Sequence, residues 1–225
     1  MWNAQIPYFE KKYRVITLDL AGHGSLGRGR NVYSLKAFGE DVASVVRASG
    51  ARKVILIGHS MAGAVIIEAA EILPDTVIAL IDIDTLQDLE ERYSPEQIEG
   101  YIQSFRKDFR KTTDVFVRSM FPREADPALV NEVAGMMSGA SPAVGTSAME
   151  ELMKRSYIEK PPEINVPVWC LNSELWPTRL EINRKYVPGF NVRTMPGVGH
   201  FLMMEAPDEF NKQLDSIIAE IVKEK

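Results

Sequence analysis

Five short runs rich in β-branched and other apolar residues punctuate the chain: YRVITLDL (13–20), KVILIG (53–58), TVIALIDID (76–84), VPVWCLN (166–172) and FNVRTMP (190–196). Each predicts a strand. Between the first two, the apolar positions change to helical spacing: Ser34 is placed to cap a helix that presents Leu35, Phe38, Val42, Val45 and Val46 on one face. A last helix follows the same logic, with Phe210, Leu214, Ile217, Ile218, Ile221 and Val222 as its apolar face. Strands alternating with helices predict an α/β fold, a mostly parallel sheet covered on both faces.

The strand pattern stops between Thr85 and about Pro161, and helix-start signals take its place. Ser94-Pro95-Glu96-Gln97 reads as a capping box with proline at the first helical position, and Asp126-Pro127 opens a second helix in the same way. Ile98, Ile102, Phe105 and Phe109 share one predicted face, and Leu129, Val133, Met136 and Met137 another. The segment 85–161 is therefore expected to be a helical insertion into a core made of residues 1–84 and 162–225. Five methionines lie in it, Met120, Met136, Met137, Met149 and Met153, whose flexible side chains suit core filling or the lining of an adaptable apolar pocket.

Composition removes several function classes. The chain has 225 residues, 26 basic against 31 acidic, with no basic block, so a phosphate-backbone partner such as nucleic acid is not expected. No apolar run reaches the roughly 18 residues of a transmembrane helix, and no signal peptide is visible, so no membrane partner and a cytoplasmic location are expected. Cys170 is the one cysteine and reads as a buried thiol on a strand; no Cys/His cluster has zinc-ligand spacing, so no metal is expected.

Two glycine-framed stretches compete as the functional centre. Gly22, Gly24 and Gly27 in AGHGSLG match the spacing of a dinucleotide-phosphate cradle. However, a cradle needs a helix beginning inside the motif and an acidic residue closing the next strand, whereas Arg28-Gly29-Arg30-Asn31 follows and the next strand ends in Gly58-His59-Ser60. A dinucleotide-binding oxidoreductase is thus the remote alternative. The second stretch, ILIGHSMAGAV (55–65), runs a strand into Gly58-His59-Ser60-Met61-Ala62-Gly63 and then a helix. A serine on such a tight strand-to-helix turn needs tiny residues two before and two after it, as Gly58 and Ala62 are, and its hydroxyl is lifted above the sheet edge. The Met61 N–H at the helix start would face a forming oxyanion.

A serine hydroxyl needs a base, and three histidines exist: His23, His59 and His200. His59 is adjacent in sequence and poorly placed to reach Ser60. His200 lies in MPGVGHF, between the final strand and the last helix, at the strand ends where catalytic groups of open α/β sheets gather.

With GHSMAG (58–63), DLAGHG (19–24), GVGHF (197–201) and MEAPDEF (204–210), the sequence resembles the α/β-hydrolase superfamily, specifically soluble serine hydrolases with a helical cap after the sixth strand. The resemblance covers nearly all of the chain outside the cap, and the order nucleophile, acid, histidine accommodates Ser60 and His200. It implies an acid after the seventh strand, where LNSELWPTRLE puts Trp176 at the expected position and Glu174 two residues upstream. Family members with the acid at the end of the sixth strand match Asp84 in LIDIDTL; Asp84 is favoured, with Glu174 as the alternative. Residues 1–20 resemble the first helix and fourth strand of that fold, so an N-terminally truncated core is expected, without the His-Gly loop that carries a second oxyanion donor. His23, His59 and Trp176 are expected on the pocket rim.

The resemblance implies a cofactor-free hydrolase of a small apolar carboxylic ester, thioester or lactone, a small-molecule substrate being the partner. Carbon–carbon bond hydrolysis and haloperoxidase chemistry use the same three groups in that family. A non-catalytic relative with a binding role is the alternative, and homo-oligomerisation is left open.

Overall fold

The structure is a computed structural model that describes residues 1–24, 30, 33–159 and 161–223. Four strands, β1 (Val54–His59), β2 (Val77–Ile83), β3 (Val168–Ser173) and β4 (Phe190–Met195), form one sheet in the order β1-β2-β3-β4, all parallel. A short helix α1 (Ile6–Phe9) precedes α2 (Leu35–Ser49), and α3 (Met61–Ile72) links β1 to β2. Between β2 and β3 lie four helices, α4 (Pro95–Lys107), α5 (Phe109–Ser119), α6 (Pro127–Ser138) and α7 (Pro142–Lys154). Then α8 (Leu180–Tyr186) joins β3 to β4, and α9 (Leu202–Glu205) and α10 (Pro207–Lys223) complete the described chain. No helix among the described residues is long and apolar enough to cross a membrane.

Period-two geometry divides the core. Leu56, Leu80, Val168, Cys170 and Phe190 face α2 and α3, while Ala79, Ile81, Ile83, Leu171 and Met195 face α1 and α10. Phe38 and Phe210, each fully buried, anchor the two helical layers, and at about 1.5–3 kcal/mol per buried large apolar side chain such residues dominate the stabilisation. The Ser34 hydroxyl accepts the Ala37 N–H at the start of α2, and Ser94 and Gln97 form a reciprocal capping box at the start of α4.

Local patterns and tertiary outcome part company in four places. The run Tyr13–Leu20 forms no ladder, and Val15, Ile16 and Leu18 stay exposed. Strand propensity expresses fit to a pleated, half-buried surface, and no strand among the described residues lies alongside this segment to bond with it. Phe109 does not extend the face of α4: Asp108 ends that helix and its carboxylate caps α5 by accepting the Lys111 N–H. Met136 turns outward on α6, where Val133 and Ala134 make the buried contact, and Val222 is half exposed near the end of α10. Of the five methionines of this helical segment, Met120 is core, packed with Phe121 and Phe201.

In a parallel sheet all strands end on the same side. The segments following β1 to β4 therefore share one rim, and these are the segments that carry Ser60, Asp84, Trp176 and His200.

Candidate active site

Ser60 sits between β1 and α3 with φ 57° and ψ −124°, a backbone conformation that costs a non-glycine residue about 1–3 kcal/mol. Its own N–H donates to the Ile83 carbonyl at 3.0 Å, tying the end of β1 to the end of β2. The turn is so tight that a Cβ on Gly58 would lie 2.4 Å from the Ala62 carbonyl oxygen, a contact with backbone that has nowhere to go. As the first residue of α3, Met61 carries an N–H with no intrahelical acceptor.

Asp84 follows β2 with φ 48°, and its carboxylate is fully used. Oδ1 accepts the Ser173 N–H at 2.6 Å, and Oδ2 accepts from His200 Nδ1 at 2.7 Å. The neighbouring turn is clamped by Asn172, whose Oδ1 accepts the Thr85 N–H while its Nδ2 donates to the Thr85 carbonyl and to Thr178 Oγ1. A second amide, Asn183, donates to the Leu86 carbonyl and accepts the Leu89 N–H, holding the loop beyond. These interactions over-determine the left-handed backbone at Asp84. Glu174, by contrast, is exposed just beyond β3 and does not meet His200.

His200 is buried, with its N–H donating to the Met120 carbonyl at 2.9 Å. Its carbonyl accepts from His59 Nε2 at 2.7 Å, and because a carbonyl can only accept, this bond places the His59 proton on Nε2. Burial first, and the neighbouring His200 second, push the His59 pKa down to about 3, so this imidazole stays neutral. By the same logic the Asp84 bond places a His200 proton on Nδ1 and leaves Nε2 of the neutral ring with a lone pair. The exposed Trp176 ring stands edge-on to His200 at 5.7 Å.

Ser60, Asp84, His59, Trp176 and His200 lie at or just beyond the strand ends of the shared rim, and His23 stands edge-on to Phe38 of α2 at 5.7 Å. Gly22 and Gly24, at φ 80° and 58°, make a turn, and among the described residues the next helix is α2, beginning at Leu35; Gly27 lies outside the described residues. A surface hollow of about 530 Å³ between α4 and α7, floored by Phe105, Phe109 and Pro142, includes none of these rim residues.

Three polar residues that hydrogen-bond to Asp84 or to the loop after it, Asn172, Ser173 and Asn183, are not singled out by the sequence pattern. The available signal is two polar residues closing an apolar strand at 172–173; both are buried. One more buried polar group stands beneath the elbow: Asp82 of β2, fully enclosed, with neither carboxyl oxygen hydrogen-bonded. Only a glycine at position 63 leaves it room, since a Cβ there would lie 2.4 Å from Asp82 Oδ1. Desolvation pushes the Asp82 pKa up to about 8.

Comparison with known proteins agrees with this architecture. Over 95% of its length the chain is 25% identical to the dihydrolipoyllysine-residue acetyltransferase component of the acetoin cleaving system of Pseudomonas putida, spanning 58% of that protein. It is 21% identical to the 2-(acetamidomethylene)succinate hydrolase of Mesorhizobium japonicum over 92% of this chain and 79% of that one. A solved thermophilic esterase from Thermogutta terrifontis superposes with a TM-score of 0.82 at 22% identity, covering 98% of this chain and 85% of the esterase. The model of the alpha/beta hydrolase family matches residues 1–213. With a parallel sheet, the helices on its two faces and a family match over nearly its whole length, the chain belongs to the alpha/beta hydrolase family.

Proposed function

We propose that the chain is a serine hydrolase that cleaves a small, fairly apolar carboxylic ester, thioester or lactone through an acyl-enzyme. The observation that carries this reading is the 2.7 Å bond from His200 Nδ1 to Asp84 Oδ2, on the same rim as a strained serine at a helix start. In the proposed cycle, Ser60 Oγ attacks the substrate carbonyl carbon as His200 Nε2 takes its proton. Asp84 holds the imidazole in the tautomer this requires and stabilises the imidazolium that forms. The Met61 N–H donates to the oxyanion. As the tetrahedral intermediate collapses, His200 returns the proton to the departing alkoxide oxygen or thiolate sulfur, which becomes an alcohol or thiol (still tethered to the acyl group in a lactone), and water repeats the sequence on the acyl-serine.

Residues 85–161 serve as a cap over a core of residues 1–84 and 162–225, and Trp176 and Met61 supply apolar surface beside the reacting groups. The hydrolase and esterase among the similar proteins support hydrolytic chemistry on this fold.

Fluorophosphonate labelling followed by intact mass and peptide mapping tests the reading. The expected result is one adduct, on Ser60, abolished by Ser60→Ala. A folded preparation with no Ser60-dependent adduct overturns the enzyme reading and leaves a non-catalytic, ligand-binding role.

A further inference from the structure

The loop that carries His200 leaves β4 without regular secondary structure, yet the imidazole has to be held to a fraction of an ångström between Asp84 and its proton donor. Three successive N–H groups in this loop have fixed acceptors. That of His200 goes to the Met120 carbonyl at 2.9 Å. Those on either side converge on one carboxylate: Gly199 N–H donates to Glu205 Oε2 at 2.9 Å and Phe201 N–H to Glu205 Oε1 at 3.0 Å. Convergent peptide N–H groups of this kind form a concave anion site. Here the anion is built into the chain, on the last residue of α9, which follows directly from the loop.

We infer that Glu205 is the positioning residue for His200, gripping the peptide groups on both sides of it and setting a negative charge behind the imidazole. The inference rests on the hydrolase reading for its catalytic consequence, but the grip itself is a property of the fold. Both oxygens are needed, because each takes a different N–H. A neutral amide supplies one acceptor and turns a donor toward the other N–H. Glu205 is partly buried, and its pKa is raised by burial first and by Asp84, against the lowering by the two N–H bonds and by His200. The titratable groups facing His200 are thus Asp84 from the end of β2, His59 from the end of β1 and Glu205 from α9.

Two variants separate grip from charge. Glu205→Gln keeps the shape and removes both the charge and one acceptor; Glu205→Asp keeps the charge and withdraws it by one methylene. The His200 pKa is read by NMR of the imidazole C–H protons, with three histidines to assign, and the rate of fluorophosphonate labelling is read against pH. Glu205→Gln should move the acid limb of labelling toward lower pH and cut the plateau rate about tenfold or more. Glu205→Asp should leave the pKa near that of the unmodified chain while the plateau rate falls.

If Glu205→Gln moves neither the pKa nor the plateau, or lowers only the melting temperature, the inference is wrong. Should Glu205→Gln fail to fold, an unchanged plateau in Glu205→Asp overturns it equally. Failure of the hydrolase reading is recognised separately, as absence of a Ser60 adduct on the unmodified chain. In that event the NMR titration of Glu205→Gln still decides whether Glu205 acts on His200.

Discussion

Replacing Asp82 by asparagine should change stability relative to the unmodified chain by an amount that shifts in favour of the variant as pH rises. The carboxyl is fully enclosed without a hydrogen-bond partner, and desolvation raises its pKa from 3.8 to about 8. Between those values the unfolded chain gives up this proton and the folded chain keeps it, so the unfolded state binds fewer protons and stability falls as pH rises. Each pH unit changes stability by about 1.4 kcal/mol, which accumulates to about 4 kcal/mol near pH 7.

His59 acts in the opposite sense. Its pKa is lowered from 6.5 to about 3, so over that interval the unfolded chain binds the extra proton and stability falls as pH falls. The two slopes cancel between about pH 4 and about pH 6.5, and above that the Asp82 contribution alone remains. The amide of Asp82→Asn cannot ionise, so in that variant stability should rise with pH up to about pH 6.5 and then level off. Urea unfolding followed by tryptophan fluorescence, from about pH 4 to about pH 8.5, gives the difference between the two proteins. Taking that difference relative to its value at the acid end removes the constant effect of the amide. A difference independent of pH would rule this linkage out, because it would mean that Asp82 is ionised in the folded protein at neutral pH.

The two candidate acids are separable: Asp84→Asn should slow Ser60 labelling by about 10³ to 10⁴ while Ser173 keeps its acceptor, because the amide nitrogen favours the wrong His200 tautomer. Glu174→Gln, at an exposed position, should stay within about twofold of the unmodified rate in the same assay. Gly58→Ala should lower stability by about 1–3 kcal/mol in urea unfolding and depress labelling, since its Cβ would meet the Ala62 carbonyl oxygen at 2.4 Å. Phe210→Ala, in the fully buried face of α10, should destabilise by about 3–5 kcal/mol without altering the pH profile of labelling in the protein that remains folded.

Much of this molecule is written in local pattern. Strands β1 to β4 and the apolar faces of α2 and α10 follow from residue spacing, because burial on one or two faces leaves a period in the sequence. The elbow around Ser60 is legible for a similar reason: a close backbone approach excludes side chains at fixed offsets, and Gly58 is confirmed in that constraint by its contact with Ala62. The position of His200 after the last strand is also a statement about order along the chain.

What the chain order leaves open is which distant groups meet. Asp84 and Glu174 end neighbouring strands, and the sequence favours Asp84 without excluding Glu174; in the structure Asp84 is buried beside the Asn172 clamp and Glu174 is in solvent. The apolar alternation of Tyr13–Asp19 reads as a strand, yet a ladder requires a neighbour, which no property of the segment itself supplies. Asp82 reads as one more polar residue at the end of an apolar run, and its place on a central strand, with Gly63 packed close over it, removes its access to water. Periodicities, caps and the tight turn are legible along the chain, because these depend on residues within a few positions of one another. Hydrogen-bond partners and desolvation across the rim belong to the assembled fold, because they depend on which atoms the register of the sheet brings within about 3 Å.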